Sequence, residues 1–212
     1  MPRVPALERH VIAAGPSAGA SLNLPDNRGF NVHIKQSSQD LGPAGEARGE
    51  SLATPEGKAL AAAEAAKGGS AKAEFKLGHR IDNHAGTAQM MTAEISFAIN
   101  QNMEASAVPA PGTLAKANLY LVVIDSHKRV VSKTTLVQAT TDDSVGSAAS
   151  PQERHLTARL ESGESYDVVL YGQVEAAAAA DQTSSARIGV DQLKMALTFS
   201  AVTTRPAAPA DS

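Results

Sequence analysis

His79 and His84, with Asp82 between them, place two imidazoles and a carboxylate on one short stretch. Zinc and iron sites take ligands at tight spacing and draw a third or fourth from a second cluster. No such cluster follows, and the stretch reads as the polar end of a strand. Asp125, Asp142, Asp143 and Asp181 carry the oxygen ligands that calcium uses. A calcium loop alternates those oxygens about a turn glycine, whereas Thr140-Thr141-Asp142-Asp143-Ser144 does not, and a solvated loop accounts for it. Gly15-Pro16-Ser17-Ala18-Gly19 fits the letters Gly-x-Ser-x-Gly. A nucleophile elbow needs a strand before it and a helix after it, and neither pattern flanks this segment. There is no phosphate loop, no dinucleotide fingerprint and no cysteine. The expectation is a protein that is not an enzyme and takes no metal or other cofactor.

The 212 residues are 42% hydrophobic but only 3% aromatic, with no tryptophan, so a core must come from Val, Leu, Ile, Ala and Met. Net charge is −3 with both signs interspersed, unlike the basic footprint that nucleic-acid binding requires. Direct nucleic-acid contact is therefore not expected. The chain shows no signal-peptide pattern and no run long enough for a membrane span, which predicts synthesis in the cytoplasm and no membrane partner.

The elements that could position functional residues are organised around residues 118–138. Two apolar, β-branched runs flank a polar turn there, the pattern of a β-hairpin. Leu119, Leu121 and Val123 share one face of the first run; Tyr120, Val122 and Ile124 share the other. Both faces are apolar, so the second needs a cover from the chain or from another subunit. Period-two runs continue on either side. Phe75, Leu77, His79 and Ile81 align, as do Ala93, Ile95 and Phe97, and Leu156, Ala158 and Leu160. Tyr166, Val168, Leu170 and Val174 form another run. The cleanest has Leu193, Met195, Leu197, Phe199 and Ala201 inward with Lys194, Thr198 and Ser200 outward. Seven or eight strands without an intervening core helix predict a mainly β domain over residues 71–205, an antiparallel β-sandwich of jelly-roll or Ig-like type. Residues 206–212 read as a loose tail.

Residues 1–70 read differently. Proline and glycine recur among Ala, Ser and charged residues, which predicts an extended arm that buries little by itself. Within it, Leu22 and Leu24, then Phe30, Val32 and Ile34, alternate about Pro25-Asp26-Asn27-Arg28-Gly29. This is a possible hairpin over residues 21–35 that could add to a sheet edge. Thr54 as N-cap, Pro55 at the first position, an alanine-rich run and Gly68-Gly69 as a stop predict one short helix over residues 55–67.

The opening Met1-Pro2-Arg3-Val4-Pro5 with its polar arm resembles the start of some virion proteins of tailed bacteriophages. A small, alanine-rich, cysteine-free sandwich with a long amino-terminal arm resembles the capsid decoration, or cement, proteins. That resemblance implies a structural virion protein, made in the host cytoplasm, that bridges capsid subunits. Its partners would be the major capsid protein or other virion proteins, and it would self-associate as a dimer or trimer. It carries no residue-level motif. The interface is instead expected at Tyr120, Val122 and Ile124, with Leu22, Leu24, Phe30, Val32 and Ile34 of the arm. The alternatives are a head-to-tail or tail component, or a protein- or carbohydrate-binding adhesion module. The sequence argues against sugar binding, since stacking platforms need exposed aromatics and Tyr120, Tyr166 and Tyr171 are the only candidates.

Overall fold

The computed structural model describes residues 18–83, 90–108, 110–140 and 152–202. His84, the Asp142-Asp143 pair, the serine of Gly15–Gly19 and the tail lie outside them. Among the described residues there are eleven strands and no helix. They are β1 (Ser21–Leu24), β2 (Val32–Asp40), β3 (Glu46–Ala53), β4 (Ala59–Ala66), β5 (Ser70–Asp82), β6 (Met91–Ala107), β7 (Leu114–Asp125), β8 (Val130–Thr140), β9 (Gln152–Leu160), β10 (Ser165–Ala177) and β11 (Thr183–Ala201).

One sheet runs β3-β4-β11-β6-β9, with β1 also on β11; the other runs β2-β5-β10-β7-β8. Every pairing is antiparallel. Strands β4 to β11 follow the eight-strand jelly-roll order, in which successive strands cross between sheets and only β7 and β8 form a hairpin within one. Strands β2 and β3 add one strand to each sheet along the same edge. The long β11 carries β4 and then β1 on one side and β6 throughout on the other, with a register shift between Val190 and Gln192.

Between the sheets lies one core built from alternate residues of each strand. Phe75, Phe97, Leu77, Ile95, Ile99, Leu119, Leu121, Leu160 and Leu170 are all fully buried. Burying each such side chain stabilises by about 1.5–3 kcal/mol relative to exposure.

The short helix is corrected by the structure: residues 59–66 are strand β4. Ala59, Ala61, Ala63 and Ala65 point into the core, while β3 and β11 bond its two edges. A run of six alanines with one leucine and one glutamate has no clear hydrophobic period to declare, and pairing with two neighbours overrides intrinsic propensity. The apparent N-cap is a hairpin turn. Thr54 N–H donates to Lys58 O at 2.9 Å, and Gly57 takes φ +96°, a conformation open to glycine.

The arm is corrected as well. Residues 21–66 supply four strands, and their prolines and glycines sit mainly at the turns between them. Strand β2 looks hydrophilic because all but Val32 of its residues are exposed at a sheet edge; its backbone bonds to β5 hold it. Leu22–Leu24 and Val32–Ile34 do not pair with each other, since β1 joins β11 and β2 joins β5. A side chain at Gly49 would lie 2.9 Å from Lys72 O, so β3 crosses close over the other sheet.

Candidate functional site

On the outer face of the five-stranded sheet, β7 and β10 run side by side with matched side chains. In register, Val122 faces Val169, Tyr120 faces Tyr171, Asn118 faces Gln173 and Lys116 faces Glu175. The face therefore grades from apolar to aromatic to amide to charged along both strands together. Neighbouring strands extend the rows: Val32 and Gly78 continue the valine row, and Gln36 and Glu74 the amide row.

The apolar end is closed by the chain itself. Val122 is 2% exposed and Val169 0%, and they cluster with Val32 and Tyr120, with Ile124 and Tyr171 packed against them. Gly78 keeps this row tight, because a side chain there would meet Val168 O at 2.0 Å. Arg80 clamps Asp167 through two bonds of 2.7 and 2.9 Å, which raises the guanidinium's affinity for its proton. Lys133 Nζ sits 3.6 Å from the centre of the Tyr120 ring, and Lys76 Nζ 4.9 Å from that of Tyr171. The two rings are 6.2 Å apart and tilted by 42°, a geometry contributing about 0.5–1.5 kcal/mol beyond burial. Each cation adds about 0.5–1 kcal/mol at such exposed positions.

The polar end is a groove of about 280 Å³ that includes Gln36, Lys72, Glu74, Asn118, Gln173 and Glu175 in its lining. Tyr171 O–H donates to Glu74 Oε2 at 2.6 Å, and Gln173 Nε2 bonds both groups. Burial, reinforced by this carboxylate, pushes the Tyr171 phenol above its ordinary range. Lys72 and Glu175 pair at 2.9 Å. Asn118 is only 6% exposed, and its carboxamide oxygen has no hydrogen-bond partner among the described residues. A buried acceptor left this way costs about 1–3 kcal/mol.

The residues expected at an interface divide between two places. Tyr120, Val122, Ile124, Val32 and Ile34 share the outer face just described, where only Ile34, 49% exposed, stands open. Leu24 and Phe30 belong to the core between the sheets, with Leu22 packed against it. Covering Tyr120 and Val122 thus requires no second subunit. Sequence reading named Tyr171 only as a stacking candidate and missed Val169, Glu74, Gln173 and Asn118, although the series Asp167, Val169, Tyr171, Gln173, Glu175 mirrors Ile124, Val122, Tyr120, Asn118, Lys116.

Of the chemistry-bearing candidates, His79 is a core residue, 4% exposed. Asp125 closes the β7–β8 turn, accepting from Arg129 N–H at 2.8 Å and Arg129 Nε at 2.7 Å. Burial opposes its charge, but these bonds outweigh burial and hold the carboxyl below its ordinary value. Asp181 takes φ +65° in the β10–β11 turn. Among the described residues, no three His, Asp or Glu side chains converge as a metal site.

No protein-family model matches the chain, and no curated protein matches it. Among solved structures, it is similar to the family 11 carbohydrate-binding module from Clostridium thermocellum in complex with a beta-1,3-1,4-mixed-linked tetrasaccharide. Identity is 13% and the TM-score 0.28, covering 89% of this chain and 100% of that one. The structure of the infectious bursal disease virus Gt strain is similar at 13% identity and TM-score 0.26, covering 96% and 43%. The CBM22-1 xylan-binding domain from Paenibacillus barcinonensis Xyn10C is similar at 10% identity and TM-score 0.23, covering 88% and 99%.

Proposed function

We propose that this protein is a non-enzymatic recognition module, an adhesion domain that holds another macromolecule through the outer face of its five-stranded sheet. The graded face of β7 and β10 carries the reading. Its apolar end is locked by the chain's own lysines and by the Arg80–Asp167 clamp, so both strands are fixed where they pass under the groove. Beside that rigid floor stand amide and carboxylate groups in one register row, one of them a buried amide whose oxygen is unpartnered. Functional groups supported in this way are pre-organised for binding.

Arrays of glycans and of purified surface proteins, probed with the full chain, test the reading. Binding is expected to fall with Glu74→Ala and Gln173→Ala and to survive Arg187→Ala on the other sheet. Binding that maps to the other sheet, or turnover in a broad activity screen, would refute it.

A second reading, a virion protein that stabilises a capsid by bridging subunits, rests on a separate observation. Apolar side chains stand open on edge strands: Ile34 on β2, Leu52 on β3, and Val130 and Val131 on β8, each 42–57% exposed. The jelly-roll architecture serves capsid proteins and lectins alike, so it does not divide the two readings. In this second role the protein self-associates and binds the major capsid protein or another virion protein. A monomer in sedimentation that leaves capsid heat stability unchanged would dispose of it.

A further inference from the structure

Building on the recognition reading, we infer that the groove beside the two tyrosines binds a neutral, hydroxyl-rich chain, an oligosaccharide laid across the strands. Gln36, Glu74, Gln173 and Asn118 stand in one row on four adjacent strands. Strand separation sets their spacing at about 4.8 Å. The length of one pyranose in a linear polysaccharide is close to that interval. An extended peptide presents same-side groups only about every 6.8 Å, twice its rise per residue, and falls out of step with the row.

The chemistry agrees with the spacing. Carboxamides both donate and accept, and a carboxylate accepts from two neighbours, which suits vicinal hydroxyls. Asn118, more than nine-tenths buried in the groove wall, has an acceptor oxygen that no described residue satisfies. A hydroxyl is a donor for it. Charge gives an anion little foothold: Lys72 and Lys116 in the lining are matched in number by Glu74 and Glu175, and Lys72 pairs with Glu175 at 2.9 Å. Lys133 and Lys76 lie over the Tyr120 and Tyr171 rings. The site therefore works by hydrogen bonds in a row, and it selects hydroxyl pattern above ring stacking.

Affinity electrophoresis of the full chain tests this in gels carrying β-glucan, xylan, galactomannan or starch, with heparin and alginate as charged controls. Retardation is expected on at least one neutral polymer, unchanged by salt, and lost at least tenfold in affinity for Asn118→Leu and Gln173→Ala. Asn118→Leu separates a binding role from a structural one. Leucine removes the unpartnered amide, so the free variant should melt at the same temperature as the parent or higher, while binding is lost. No retardation on any neutral polymer, retardation only on the charged controls, or binding indifferent to both variants overturns the inference. If Asn118→Leu melts lower, Gln173→Ala alone decides it. A protein ligand lost on mutating this face, with no glycan bound, would overturn the glycan and leave the recognition face standing. Glycan binding that maps to the other sheet would overturn both.

Discussion

His79 links pH to stability in a way that can be measured directly. Its ring lies between Leu77 and Ile81 on the inner face of β5, and its Nδ1 has no partner among the described residues. Burial, helped by the charge of Arg28 and opposed by Asp82, lowers its pKa from 6.5 to about 4. The folded chain therefore keeps this ring neutral where the unfolded chain would protonate it. Between those two values the unfolded state binds more protons, so stability is full above about pH 6.5 and falls as pH drops toward 4. From the two pKa values, this one residue removes about 2 kcal/mol between pH 7.5 and pH 5, and about 3 kcal/mol by pH 4. For a chain of this size, 2 kcal/mol corresponds to roughly 4–8 °C in Tm. The assay is urea unfolding at half-unit steps from pH 7.5 to 4.5 for the parent and for His79→Leu. Subtracting the two curves removes the other histidines and the carboxylates. The difference should rise toward 2 kcal/mol in favour of the variant as pH falls to 5. A flat difference would show that His79 is solvated or finds a partner in solution, and the argument from burial would fail.

Gln101 on β6 is 2% exposed, with both carboxamide atoms unpartnered among the described residues. Gln101→Met is expected to stabilise the fold by about 1–3 kcal/mol in chemical unfolding, and a destabilised variant would reveal a partner such as bound water. Val122→Asp buries a carboxylate against Val169 and Tyr120, and pairing it with Lys133, its cross-strand partner on β8, would draw that cation off the Tyr120 ring, so the variant should lose several kcal/mol or fail to fold. A soluble variant of parental stability would show that this face opens in solution. A side chain at Gly172 would lie 2.3 Å from the Phe75 ring. Gly172→Ala should cost about 1–3 kcal/mol, with Phe75→Leu recovering part of the loss; a neutral Tm for the single variant would contradict the packing.

The strands that the sequence revealed are those with large apolar residues at every second position, such as Leu193 to Phe199 and Leu119 to Val123. What it concealed follows from how alternation is made. Strand β4 is six alanines with Leu60 and Glu64, and β2 alternates only at Val32 and Ile34 and is held beyond them by its backbone at an edge; neither carries a hydrophobic period along its length. The first half of β11 hides among serine, alanine and glycine, although Ala186, Ile188 and Val190 already mark its inner face. Tyr120 and Val122 announce a covered surface, but the cover comes from Val32, Val169, Lys133 and Lys76 on four other strands. Only the strand order brings those residues together, and no local pattern encodes it. Asn118 escaped notice for a simpler reason: an isolated amide in an apolar strand is ordinary until its missing partner can be seen.

The matched series on β7 and β10 also bears on how the sheet finds its alignment. Sliding β7 by two residues along β10 leaves the Gly172–Phe75 fit in place and keeps Ala115, Ala117, Leu119, Leu121 and Val123 facing inward, so their apolar character alone does not forbid it. The outer face does. Such a slip would set Gln173 against Tyr120 and Glu175 against Asn118, or Tyr171 against Asn118 and Gln173 against Lys116. Either way it would break the ring pair and uncover the valines. The surface opposite the core thus acts as the vernier of the sheet, and a mutation that blurs its gradient should yield mis-registered chains before it yields unfolded ones.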